Sequence, residues 1–158
     1  MNTKYDVKRV RASQIFEIAE ESLNDGRSIK ITVVGNSMYP FLRSMVDSVE
    51  LYRESYDNIK LSDIVVAKKG NKYILHRVYK KNVGEFVMLG DGNFVTDGPY
   101  DKEDLVCKAS GIYRKDKYIS CSSWAFVVLS KLWRLLKPFR KLIFRFYFKM
   151  RYSRKRLH

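Results

Sequence analysis

The sequence predicts a mainly β domain with a helix at each end, and three observations carry that expectation. Five short segments rich in β-branched and aromatic residues lie between residues 48 and 113, separated by turn residues. A helical period precedes them, and a second, strongly basic one follows.

From Ala12 to Asn24 the apolar residues Ile15, Phe16, Ile18, Ala19 and Leu23 recur at helical spacing, and Asp25-Gly26 supplies a stop. Ile29 to Val34, IKITVV, alternates and is β-branched, which predicts a strand. It runs directly into GNSMYP, where Gly35 and Pro40 mark a turn, so Ser37 is expected just past a strand end. Strands are then expected over 48–52, 63–67, 73–79, 85–89 and 105–113, with turns at Lys69-Gly70-Asn71, Asn82-Val83-Gly84 and Asp91-Gly92-Asn93. Such spacing suggests a twisted antiparallel core.

After Ser123 the period becomes helical, with Leu132, Leu135, Leu136, Phe139, Leu142, Ile143 and Phe146 at steps of one, three or four. Lys137, Lys141, Arg145 and Lys149 form a second line at intervals of four, and Pro138 is expected to kink or divide the helix. The division expected is therefore a compact domain over 1–122, including the first helix, and a basic amphipathic helical tail over 123–158.

With 158 residues, 46% of them hydrophobic, the chain is long and apolar enough for one real core, and intrinsic disorder is excluded. The net charge of +14 is unevenly placed. From Lys117 onward there are twelve Lys or Arg and no Asp or Glu, which leaves the first 116 residues at +2. Any polyanion this protein meets is expected to meet the C-terminal part. Cys107 and Cys121 are too few for a disulfide framework and lack the paired spacing of a zinc site, so they read as idle thiols.

Three segments hold residues able to do chemistry. Ser37 lies in a tight turn, where a serine is ordinarily a turn-former, but a serine hydroxyl becomes a nucleophile when a base takes its proton. His76, embedded in the apolar run YILHRV, is the one histidine away from the terminus and is such a base by its ordinary titration range. The loop GDGNFVTDG offers Asp91 and Asp97, either of which could hold an imidazole in its working tautomer. The same loop has a calcium-like look, but the twelfth residue from Asp91 is Lys102 where an EF-hand needs Glu, so no metal and no cofactor is implied.

Together GNSMYP, LSDIVVAKKGNKYILHRV and GDGNFVTDG resemble, in order and spacing, the three boxes of the signal peptidase I and LexA-like serine peptidases, over roughly 31–113. The resemblance implies a twisted β core and a serine endopeptidase of the Ser-His branch, with Ser37 as nucleophile, His76 as base and Asp97 as orienting acid. Asp91 then falls on a structural loop position and is the alternative acid. The oxyanion and cleft positions fall on Ser37 and Met38, and the implied substrate is a leader or signal-type peptide with small residues before the cut. The stretch PFLRSMVD departs from the usual Gly-Asp pair and resembles a subgroup of small bacterial peptidases. The other function class open to the sequence is a non-catalytic module that binds a peptide or nucleic acid on the same fold.

The tail is expected to lie on an anionic membrane surface, with Trp124, Trp133, Lys137, Lys141 and Arg145 facing it, in preference to nucleic acid. Its longest uncharged run, residues 118–130, is too short to cross a bilayer. The opening residues hold no apolar stretch of the kind a signal peptide or anchor needs, so the expected location is the cytoplasmic side, peripheral to the inner membrane.

Overall fold

The computed structural model describes residues 12–115 and 117–155. The first helix, α1 (Ala12–Asn24), ends where Asp25-Gly26 stops it, the amide of Arg27 turning back to donate to the Ser22 carbonyl at 3.0 Å. Eight strands follow: β1 (Ile29–Thr32), β2 (Asp47–Tyr52), β3 (Ile64–Lys69), β4 (Lys72–Lys81), β5 (Glu85–Leu89), β6 (Asp97–Asp101), β7 (Leu105–Arg114) and β8 (Lys117–Ser120). They form one curled antiparallel sheet in the order β1-β2-β7-β3-β4-β5-β6, with β8 paired to β7. The mainly β class with a helical segment at each end is thus as the sequence predicts.

Strand β7 joins the sheet together. Residues 108–114 pair with β2 on one edge, while the other edge is shared between β3, along 105–108, and β8, along 111–114. Strand β2 alternates buried and half-buried positions, as a strand with one covered face does, whereas the first four residues of β3 are all buried because both faces are covered. Val49 and Leu51 bury completely, a contribution of about 1.5–3 kcal/mol each. Helix α1 lies over β4: Phe16 stacks on Tyr73 at 4.8 Å, and Tyr73 Oη donates to Glu20 Oε1 at 2.8 Å.

Two strands were not expected. The β6 segment, DGPYD, reads as a turn by composition, but Pro99 is tolerated because β6 is the last strand of the order and its lost N–H breaks no inner ladder. Strand β8 folds back on β7 as a four-residue hairpin arm at the head of the uncharged run. Conversely, β1 stops at Thr32; Val33 instead donates to the Asp47 carbonyl and accepts from Met45, opening the loop that carries Ser37.

The C-terminal part is divided at Pro138 as expected, into α2 (Trp124–Leu135), a 3₁₀ turn (Lys137–Phe139) and α3 (Arg140–Lys155). It does not stand away from the domain. Phe126, Ser130 and Arg140 are buried, and Phe41 meets both Phe126 and Trp133, with ring centroids 5.9 and 6.0 Å apart. One side of α2 and α3 therefore belongs to the same packed unit as the sheet.

Candidate active site

The Ser37 loop is shaped by its neighbours in sequence. Gly35 takes φ +97°, a conformation that suits glycine, and its amide donates to Ser44 Oγ at 3.0 Å. Met38 and Leu42 sink into the core at 1% and 0% exposure, and the Leu42 amide donates to the Met38 carbonyl at 2.9 Å. Ser37, between exposed Asn36 and buried Met38, is half-buried. Met38 thus anchors the loop; its side chain belongs to the core cluster rather than to an open cleft wall.

The unusual stretch after the serine is closed by charge. Asp47, fully buried, receives Arg43 Nη2 at 2.8 Å and Arg114 Nη2 at 2.9 Å, and Arg114 also donates to the Phe41 carbonyl at 2.7 Å. Burial alone would raise the Asp47 carboxyl, but the hydrogen bonds from Arg43 and Arg114 outweigh it and hold it at about 2. Asp47 is therefore the clamp of this loop.

His76 lies in the middle of β4, opposite Val65, with 5% exposure. Its Nδ1 is 2.6 Å from Oδ2 of Asp97, the first residue of β6, whose side chain is a third exposed. The approach is short, but neither atom has an in-line hydrogen bond. Burial lowers the imidazole below its ordinary 6.5, while the Asp97 carboxylate beside it pulls the other way.

Successive residues of a strand point to opposite faces, so Arg77 leaves His76 and goes to the other side of β4. There its Nε is 2.9 Å from both oxygens of fully buried Asp91, and Nη1 donates to the Ser62 carbonyl at 2.9 Å. Burial raises the Asp91 carboxyl, with Arg77 opposing it. The two acids of the loop thus have separate partners: Asp97 faces the histidine and Asp91 holds the arginine next to it.

Gly90 and Gly92 lie between the Ser37 backbone and the His76 ring. The Gly92 amide donates to the Ser37 carbonyl at 2.7 Å. A Cβ on Gly90 would lie 2.5 Å from that same carbonyl oxygen, 2.9 Å from His76 Nε2 and 2.9 Å from Asn93 Nδ2. The Ser37 backbone and the free ring nitrogen therefore border one small space, no further apart than those two lengths end to end. Only a residue without a side chain leaves that space open.

No family model matches the chain, and no curated protein does. Among the described residues no group of three or more His, Cys, Asp or Glu is placed to hold a metal. Cys107 and Cys121 are free, and burial pushes their thiols up to about 12 and about 11. A polar cavity of about 340 Å³ lined by Glu20, Arg53, Lys68 and Asp104 touches none of Ser37, His76 or Asp97.

The C-terminal helices border this site, which the sequence did not suggest. Trp133 Nε1 donates to the Asp91 carbonyl at 3.1 Å, so it faces the loop, not the outside. Arg140, 2% exposed, donates to the carbonyls of Gly90 at 3.1 Å, Asn93 at 3.4 Å and Trp133 at 3.1 Å. Phe144 packs against Tyr39, Phe94 and Trp133, and Tyr39 Oη donates to Tyr147 Oη at 2.6 Å. Of the other tail residues, Trp124 is 81% exposed, Lys137 lies over the Tyr79 ring at 4.3 Å, Lys141 lies over Phe94 at 5.6 Å, and Arg145 is exposed. One signal pointed to Arg140: it falls seven residues after Trp133 and fourteen after Phe126, on the inward stripe rather than the line of Lys137, Lys141 and Arg145.

Proposed function

We propose that this protein is a serine endopeptidase resembling the signal peptidases, working through Ser37, His76 and Asp97. The observation that carries the reading is the placement of His76, with Nδ1 against Asp97 and Nε2 facing the Ser37 loop across Gly90. A neutral imidazole is what a general base requires, and burial keeps His76 neutral at neutral pH.

In this reading His76 Nε2 takes the proton of the Ser37 hydroxyl as Oγ attacks the carbonyl carbon of the scissile peptide. The imidazolium that forms is stabilised by Asp97, and the oxyanion is met by the Ser37 backbone N–H. His76 then gives its proton to the leaving amine as the C–N bond breaks, leaving an acyl-enzyme. Water, deprotonated by His76, attacks the ester carbon and returns Ser37 to its hydroxyl form. Arg77 and Asp91 serve as a buried brace beneath the base, not as reactants. The substrate class, a leader or signal-type peptide with small residues before the cut, rests on the resemblance of the three boxes.

A fluorophosphonate probe tests the assignment. The wild-type chain is expected to label, and Ser37→Ala and His76→Ala are expected to abolish labelling while far-UV circular dichroism stays unchanged. Absence of labelling across the pH range in folded wild-type protein would overturn the enzyme in favour of a binding module.

A further inference from the structure

Helices α2 and α3 have a second side that the domain does not use. Opposite the inward stripe of Phe126, Ser130, Trp133, Arg140 and Phe144 run Trp124, Leu132, Leu135, Phe139, Leu142 and Phe146, exposed by 81, 49, 69, 57, 54 and 62%. Within each helix their steps are multiples of three and four, which puts Trp124, Leu132 and Leu135 on one side of α2 and Leu142 and Phe146 on one side of α3, with Phe139 in the 3₁₀ turn between them. Large apolar side chains exposed in a continuous line are not what a solvent-facing surface carries.

Charge decides among occupants. Lys131, Lys141 and Arg145 are exposed along one border of the line, and no carboxylate occurs from Lys117 to the end of the chain. A second copy presenting the same side would bring like charges together, which disfavours a symmetric pairing. A nucleic acid would meet cations with apolar residues between them and the phosphates, a poor footprint. A bilayer with anionic headgroups fits both halves of the pattern, since the apolar line enters the headgroup boundary and the bordering cations meet lipid phosphates. No helix among the described residues is long and apolar enough to cross a membrane, so the contact is one of lying on the surface.

We propose that α2 and α3 dock this protein on an anionic lipid bilayer through the line from Trp124 to Phe146, while their other side holds the Gly90–Asn93 loop. The sequence-level expectation of Trp133 and Lys137 as lipid-facing residues is replaced: both turn back onto the domain, and Leu132, Leu135, Phe139 and Leu142 take their place.

The test is flotation of the full chain, carrying Ser37→Ala so that catalysis plays no part, with vesicles of phosphatidylcholine alone or mixed with phosphatidylglycerol. Binding is expected to the mixed vesicles and to weaken as salt is raised. The double substitution Leu135→Asp and Phe139→Asp, both at exposed positions, is expected to weaken partitioning by about tenfold or more with the fold unchanged by circular dichroism. The proposal is overturned if the double variant floats as well as its parent. It is equally overturned if neither protein floats while polyuridylate is bound, or if the double substitution instead abolishes a concentration-dependent dimer seen by sedimentation.

Discussion

Arg140 donates to the backbone carbonyls of Gly90 and Asn93, on either side of the Asp91 that pairs with Arg77. A residue from the far end of the chain thus holds the loop that separates Ser37 from His76. Arg140→Ala leaves those carbonyls and that of Trp133 without their buried donor, a cost of about 1–3 kcal/mol in stability. The fluorophosphonate labelling rate of the folded variant is expected to fall about tenfold or more because a displaced loop spoils the serine-histidine approach. Arg140→Lys is expected to restore stability better than rate, since one ammonium replaces a planar fork spanning three carbonyls.

The two acids are expected to separate by what they change. Asp97→Asn removes the influence that raises the His76 pKa, so the acid limb of the labelling rate, already below pH 6.5 from burial, moves to still lower pH. The plateau rate is expected to drop by a large factor, less than for Ser37→Ala, because the imidazolium loses its counter-charge. Asp91→Asn leaves Arg77 buried without its carboxylate, which is expected to cost about 3–5 kcal/mol in a urea titration and leave the position of the acid limb nearer wild type. A lower labelling rate for folded Asp91→Asn than for folded Asp97→Asn would reverse the assignment.

Gly90→Ala is expected to be the most informative single methyl. Its Cβ would press on the Ser37 carbonyl, His76 Nε2 and Asn93 Nδ2 at once. Labelling is expected to fall about 100-fold or more, comparable to losing one oxyanion donor, in a protein whose circular dichroism remains that of the wild type.

Acid stability should show the Asp47 clamp. Its carboxyl lies at about 2 in the fold against an ordinary value of 3.8, so the unfolded chain binds the proton more readily. The stabilisation is fully present above about pH 4 and is lost as pH falls toward 2. Asp47→Asn is expected to flatten this stretch of a thermal-melting profile and to lower stability at neutral pH.

Much of this was legible in the chain because the signals were local. The α1 period, the stop at Asp25-Gly26 and the β5 segment appear at the residues expected, since each is set by neighbours within a few positions. Strand β6 was hidden because its Gly-Pro composition reads as a turn, and its edge location is a tertiary fact. The three boxes led to the expectation of Ser37, His76 and Asp97 as one group, of which the approach of His76 to Asp97 is seen at 2.6 Å, but they did not reveal that Arg77 would take Asp91 on the opposite face of β4. The inward turn of Trp133 was out of reach for a further reason: an amphipathic helix with two apolar stripes does not announce which one is covered.

The strand order also fixes when the site can come into being. Ser37 sits between β1 and β2, His76 sits on β4, and the sheet order links these two halves through β7, which follows both in the chain. The hairpins on either side can form early from nearby residues, but β2 must wait for its second partner, β7, some sixty positions away, the slow kind of pairing. Ribosomal synthesis therefore delivers Ser37 and His76 well before the strand that links their two halves of the sheet, and a chain released short of residue 114 would carry both residues without that link.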